Sequence, residues 1–148
     1  MRCPPPSSNW FSTLLLINRV PLGLMFVLAA FNKILTGTFG RNLMIFADRV
    51  AKQAPLPRPL GLAYGFALPW IELLAGLCLV LGFFGRIAAA LIGLMLLSFM
   101  IAMGIIPDGP SPFDKNVILL TLSIFLVATG SGTFSLDALL VRTHRPGR

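Results

Sequence analysis

Leu60-Gly-Leu-Ala-Tyr-Gly-Phe-Ala-Leu-Pro-Trp-Ile-Glu72-Leu-Leu-Ala-Gly-Leu-Cys-Leu-Val-Leu-Gly-Phe-Phe84 is the stretch that decides the fold. It is apolar throughout apart from Glu72, near its middle. A hydrocarbon core roughly 30 Å thick is crossed by about 20 residues of helix, and this run is long enough to do so. Three other stretches meet or approach that length: Trp10 to Ile34, Ile87 to Ile106, and Val117 to about Leu136. None alternates polar with apolar residues, so a membrane β-barrel is excluded.

Composition agrees with the spans. The chain has 148 residues, of which 56% are hydrophobic and 11% charged, with a mean hydropathy of +0.86. A soluble domain of this size carries about 25% charged residues. The sequence therefore predicts an all-α membrane protein, a four-transmembrane-helix bundle occupying residues 10–141 as one domain. A Pro-rich lead (1–9) precedes it and a basic tail (142–148) follows. The first span is too long for a removable signal peptide and ends in Phe31-Asn-Lys33 rather than in small residues, so it is expected to stay as a helix.

Connections between the spans carry their own signals. In the first, Leu43, Phe46, Ala47 and Val50 recur at helical spacing, with Arg41, Asp48, Arg49 and Lys52 on other faces. That pattern predicts an interfacial amphipathic helix between helices 1 and 2, lying along the membrane or over the bundle mouth. Pro55, Pro57 and Pro59 end it. Further on, Ser111-Pro-Phe-Asp114 reads as a capped helix start after Pro107-Asp-Gly-Pro110. Ser135-Leu-Asp137 reads as an N-cap opening a short terminal helix.

A net charge of +7 suits anionic lipid and the positive-inside bias. No nucleic-acid-binding motif is present. With four spans, the termini share a side with the Phe84-Gly-Arg86 turn. That side carries Arg2, Arg86, Arg142, Arg145 and Arg148, against Lys33, Arg41, Arg49, Lys52, Arg58 and Lys115 opposite. The counts are nearly equal; the basic tail, which contains no acid, favours cytoplasmic termini in a bacterial inner membrane.

Chemistry at membrane depth centres on Glu72. A lone carboxylate there implies a partner, a proton or a water-filled cavity. If helices 1 and 2 are aligned at their midpoints, about residues 22 and 72, Arg19 stands roughly 4 to 5 Å from the level of Glu72 and is its expected counter-ion. Pro21 and Pro69 would free carbonyls nearby, and Asn18, Tyr64 and Trp70 could join a polar pocket. Both a ligand or proton site and an ion pair that fixes helix register fit this pattern. Lys33 is expected to snorkel to the interface, where a quinone or lipid head group could meet it, and Arg86 to anchor the turn.

No His pair at metal spacing, CxxC, phosphate loop or nucleophile elbow occurs, so the sequence points to no metal site and no catalysis by the chain alone. The single histidine, His144, lies in the tail, and the cysteines, Cys3 and Cys78, are too far apart in sequence to make a redox pair motif.

Arg19-Val-Pro-Leu-Gly to Asn32-Lys33, Leu68-Pro-Trp-Ile-Glu72 to Gly85-Arg86, and Gly130-Ser-Gly-Thr-Phe-Ser-Leu-Asp137 resemble, in order and spacing, the DoxX/DoxD-like integral membrane proteins. The matching positions are Arg19, Lys33, Glu72, Arg86 and Asp137. The resemblance implies a membrane subunit of a respiratory or quinone-linked oxidoreductase complex, with a quinone or lipid as bound cofactor and other membrane or redox subunits as partners. The alternative is a non-catalytic accessory subunit that packs against a larger membrane complex.

Overall fold

The computed structural model describes residues 9–35, 40–104, 113–130, 132 and 134–138. The Pro-rich lead, the Ser111 cap, His144 and the basic tail lie outside the described residues. Five helices follow one another: α1 (Asn9–Ile34), α2 (Arg41–Gln53), α3 (Arg58–Leu81), α4 (Gly85–Gly104) and α5 (Phe113–Thr129). There is no strand among the described residues. Two helices, α1 and α3, are long and apolar enough to cross a membrane; α4 and α5 contribute shorter apolar segments.

Helix ends differ from the sequence expectation where backbone geometry intervenes. α5 stops at Thr129 because Gly130 turns left-handed at φ 85°, so the last span closes earlier than Leu136. α3 stops at Leu81 for the same reason, with Gly82 at φ 70° accepting the αL position. Pro21 and Pro69 are both accommodated within continuous helices.

Packing places α1 and α2 on α3, and α4 between α3 and α5. The α1–α3 contact is set by two glycines: a Cβ on Gly23 would stand 2.8 Å from the Gly76 carbonyl oxygen and 2.7 Å from the side chain of Val80. Backbones approach this closely only where side chains are absent. This crossing fixes the register, and the helices are staggered rather than aligned at their midpoints.

The stagger leaves the first turns of α3 beyond the end of α1, and α2 fills the vacancy. α2 runs antiparallel along α3 rather than flat across the bundle. Gly61-x-x-x-Gly65 opens a groove that takes Ala47-x-x-x-Ala51. A Cβ on Gly61 would stand 2.7 Å from the Cα of Ala51, and one on Gly65 equally close to that of Ala47. Leu43, Ala47, Val50 and Ala51 are the buried face of α2, so its amphipathic pattern serves the bundle itself. The core joins Leu15, Leu22, Phe26, Leu68, Leu79, Ile92, Met95 and Leu126 across the four apolar helices.

Candidate functional site

Glu72 is paired with Lys33, not with Arg19. The Lys33 ammonium donates to both carboxylate oxygens, at 2.5 and 2.6 Å. Glu72 is 2% exposed and Lys33 22%. The reason lies in the stagger. Gly23 sits between Gly76 and Val80, so Glu72 is level with about residue 29 of α1. Lys33 is then about four residues, ~6 Å, from that level, within a lysine's reach, whereas Arg19 is about ten residues, ~15 Å, away on the other side. Lys33 thus turns inward instead of snorkelling, and its place in the last turn of α1 also suits the helix dipole.

Aromatic rings flank the ammonium. It lies 4.6 Å from the ring centroid of Phe46 on α2 and 5.7 Å from that of Phe99 on α4. The site therefore joins four elements: a cation from α1, a carboxylate from α3, and one ring each from α2 and α4. In such surroundings the paired charges hold each other in place, and removing either leaves the other without compensation.

Tyr64, a predicted pocket member, meets Ser98 of α4 with its hydroxyl, at 2.5 Å, and Ser98 in turn donates to the Met95 carbonyl. The other two expected members lie elsewhere. The Asn18 amide donates to the Leu14 carbonyl one turn back on its own helix, and Trp70 is 41% exposed on the outer face of α3.

Arg19 belongs to a second polar cluster at the opposite end of the bundle. Buried to 2% exposure, its guanidinium donates to the Phe134 carbonyl at 2.8 Å. It lies so close to Gly82 that no side chain fits there. Asp137 faces the same corner: its carboxylate accepts from the backbone N–H groups of Phe84 at 2.9 Å and Gly85 at 3.2 Å, capping the start of α4. Ser135 accepts from the Ala138 N–H, which is the N-cap the sequence predicts. Arg86 donates to the Ala128 carbonyl at 3.4 Å and so reaches across to the end of α5.

Sequence reasoning missed Phe46 and Phe99 as neighbours of the pair and Ser98 as the partner of Tyr64. The signal that could have found the pair was the glycine spacing: aligning α1 and α3 at Gly23 and Gly76 brings Lys33 nearer to Glu72 than Arg19. Among the described residues no group of three or more His, Cys, Asp or Glu side chains could hold a metal ion.

Comparison with known families gives a match to the model described as methylamine utilisation protein MauE, over residues 11–107. The chain belongs to the MauE family. MauE, like DoxX, is an integral membrane family, so the resemblance read from the sequence holds at that level, while the family itself is MauE. The MauE match covers α1 to α4 and includes Arg19, Lys33, Glu72 and Arg86; Asp137 and α5 lie beyond it. No curated protein and no solved structure shows a match to the chain.

Proposed function

We propose that this MauE-family chain is an accessory membrane subunit, held in the bacterial inner membrane by four helices, that serves a redox complex without itself performing the chemistry. The observation that carries this reading is the closed Lys33–Glu72 pair. The mid-helix carboxylate of α3 and the ammonium from the last turn of α1 are spent on each other, holding α1 on α3 and, through Phe46 and Phe99, setting α2 and α4 against them. That is the work of a scaffold.

The redox setting rests on the family description. Converting methylamine to formaldehyde and ammonia removes two electrons from its carbon, and this oxidative route of methylamine utilisation is the setting the reading adopts. Lipid and other membrane subunits are its partners in this reading. The pair also bears on the proposed orientation. With Lys33 turned inward, its charge drops out of the loop count, leaving Arg41, Arg49, Lys52, Arg58 and Lys115 on the far side. The counts become five against five, and the acid-free basic tail is what favours cytoplasmic termini.

A quinone-linked version of the role has one observation in its favour. Lys33 keeps partial exposure beside two aromatic rings, an arrangement able to receive a quinone ring and donate to its carbonyl. Glu72→Gln in the native membrane separates the two readings. Loss of assembly, with normal activity in whatever complex still forms, supports the scaffold. Intact assembly with lost quinone-dependent activity overturns it in favour of the quinone site.

A further inference from the structure

Two cations on α2 have no counter-ion in the described structure. Asp48 engages Lys52 at 2.5 Å and Arg58 at 3.6 Å, whereas Arg41 and Arg49, both exposed, make no ion pair among the described residues. They lie eight residues apart, about 12 Å along one face of the helix, with Ile45 between them. Ile45 is 50% exposed and its neighbour Met44 66%. The outward face of α2 therefore alternates guanidinium and bare hydrocarbon.

The level of this face matters. Ala51 opposes Gly61 and Ala47 opposes Gly65, so continuing the same register puts Arg49 level with about Ala63 and Arg41 with about Ile71. On α3 those levels display exposed Phe66, Trp70 and Ile71. In a membrane, acyl chains cover such side chains, and a guanidinium at that level meets them only at high cost. Phosphate drawn down around α2 removes the conflict, since Arg binds it through paired hydrogen bonds while Ile45 and Met44 receive the chain below.

We propose that the outward face of α2 binds the phosphate of anionic phospholipid through Arg41 and Arg49. The exposed side of α2 carries Arg41, Arg49 and Lys52, joined by Arg58 at the start of α3, against the single acid Asp48, so it favours acidic over zwitterionic lipid. This inference rests on the membrane reading above, and the test keeps the two apart. The full chain is reconstituted in nanodiscs of phosphatidylcholine containing a minor share of phosphatidylglycerol, then extracted in mild detergent, and the retained lipids are counted by native mass spectrometry. Wild-type protein retains phosphatidylglycerol above its bulk share. Arg41→Gln with Arg49→Gln lowers that preference by roughly tenfold or more. Should the double variant fail to reconstitute, hydrogen exchange on the wild type decides: α2 is protected more strongly in phosphatidylglycerol discs than in pure phosphatidylcholine.

A preference unchanged by the substitutions, or α2 protection indifferent to lipid charge, overturns the inference. So does recovery of an acidic protein on α2 in place of lipid. A chain that alkaline carbonate strips from its native membrane overturns the membrane reading itself.

Discussion

Replacing Glu72 by Gln tests the central structural claim most directly. The substitution keeps the shape of the side chain and removes its charge, leaving the Lys33 ammonium between Phe46 and Phe99 without a carboxylate. Breaking a buried pair from one side costs about 3 to 5 kcal/mol, because the stranded charge stays desolvated. The partial exposure of Lys33 puts the expected value at the low end of that range, since the ammonium can turn outward and recover some water. Replacing both partners with apolar residues, Lys33→Met with Glu72→Leu, removes the stranded charge and should recover most of the loss. The assay is a double-mutant cycle on denaturation in detergent micelles, run for Lys33 with Glu72 and, as a control, for Arg19 with Glu72. The structure predicts a coupling of about 2 kcal/mol or more for the first cycle and close to zero for the second. The larger coupling in the Arg19 cycle would refute the register set by Gly23 and Gly76, and with it the site as described.

Other substitutions probe the seams and the corner. Gly65→Leu puts a side chain where even a Cβ meets the backbone of Ala47, so α2 should lift from α3; limited proteolysis within 41–57 should then accelerate while the spans stay protected. Gly82→Ala adds a Cβ at a left-handed position against the Arg19 guanidinium, and the melting temperature should fall by several degrees. Asp137→Ala leaves the Phe84 and Gly85 N–H groups without their acceptor, a loss comparable to that of a helix cap at about 1 kcal/mol, measurable by chemical denaturation. The Asp48 carboxyl is held below its ordinary range by its hydrogen bond from Lys52 and by the charges of Lys52 and Arg58. A depressed value means that the ionised clasp stabilises α2 above the usual carboxylate range and is lost as pH falls through the lowered one. NMR titration of Asp48 should show this midpoint move up towards the ordinary value in Lys52→Met.

Much of the architecture was legible because long apolar helices announce themselves by length and hydropathy, and α1 to α4 lie within a few residues of the runs that predict them. The amphipathic helix α2 was legible too, but its partner was not. The stripe of Leu43, Ala47 and Val50 tells that the helix has a face to bury without telling what covers it. Gly61-x-x-x-Gly65, the feature that receives it, has no charge or aromatic to draw attention and needs its Ala47-x-x-x-Ala51 counterpart to acquire meaning.

The site failed for a related reason. Midpoint alignment assumes that helices start and stop together, and α1 and α3 do not. Glu72 was correctly singled out as a residue needing a partner, while the choice between Arg19 and Lys33 turned on a displacement of about seven residues that only the glycine contact fixes. Arg19, Arg86 and Asp137 were legible as marked positions, yet their shared corner depends on a chain reversal after Gly130 that hydropathy does not encode.

The corner at Gly82 to Gly85 carries a consequence for the order of events in folding. Phe84 holds a left-handed backbone at φ 47°, a conformation that costs a bulky residue about 1 to 2 kcal/mol, and the carboxylate that receives its N–H lies 53 residues downstream. Arg19 likewise waits for the Phe134 carbonyl, 115 residues later. Both bonds can close only after the segment from Phe134 to Asp137 has been made, so the corner is among the last parts of the fold to form. The segment around Phe134 to Ala138 supplies both acceptors at once, offsetting the cost of the Phe84 backbone, so a chain truncated before Phe134 should be cut faster by protease at the α3–α4 bend than the full chain.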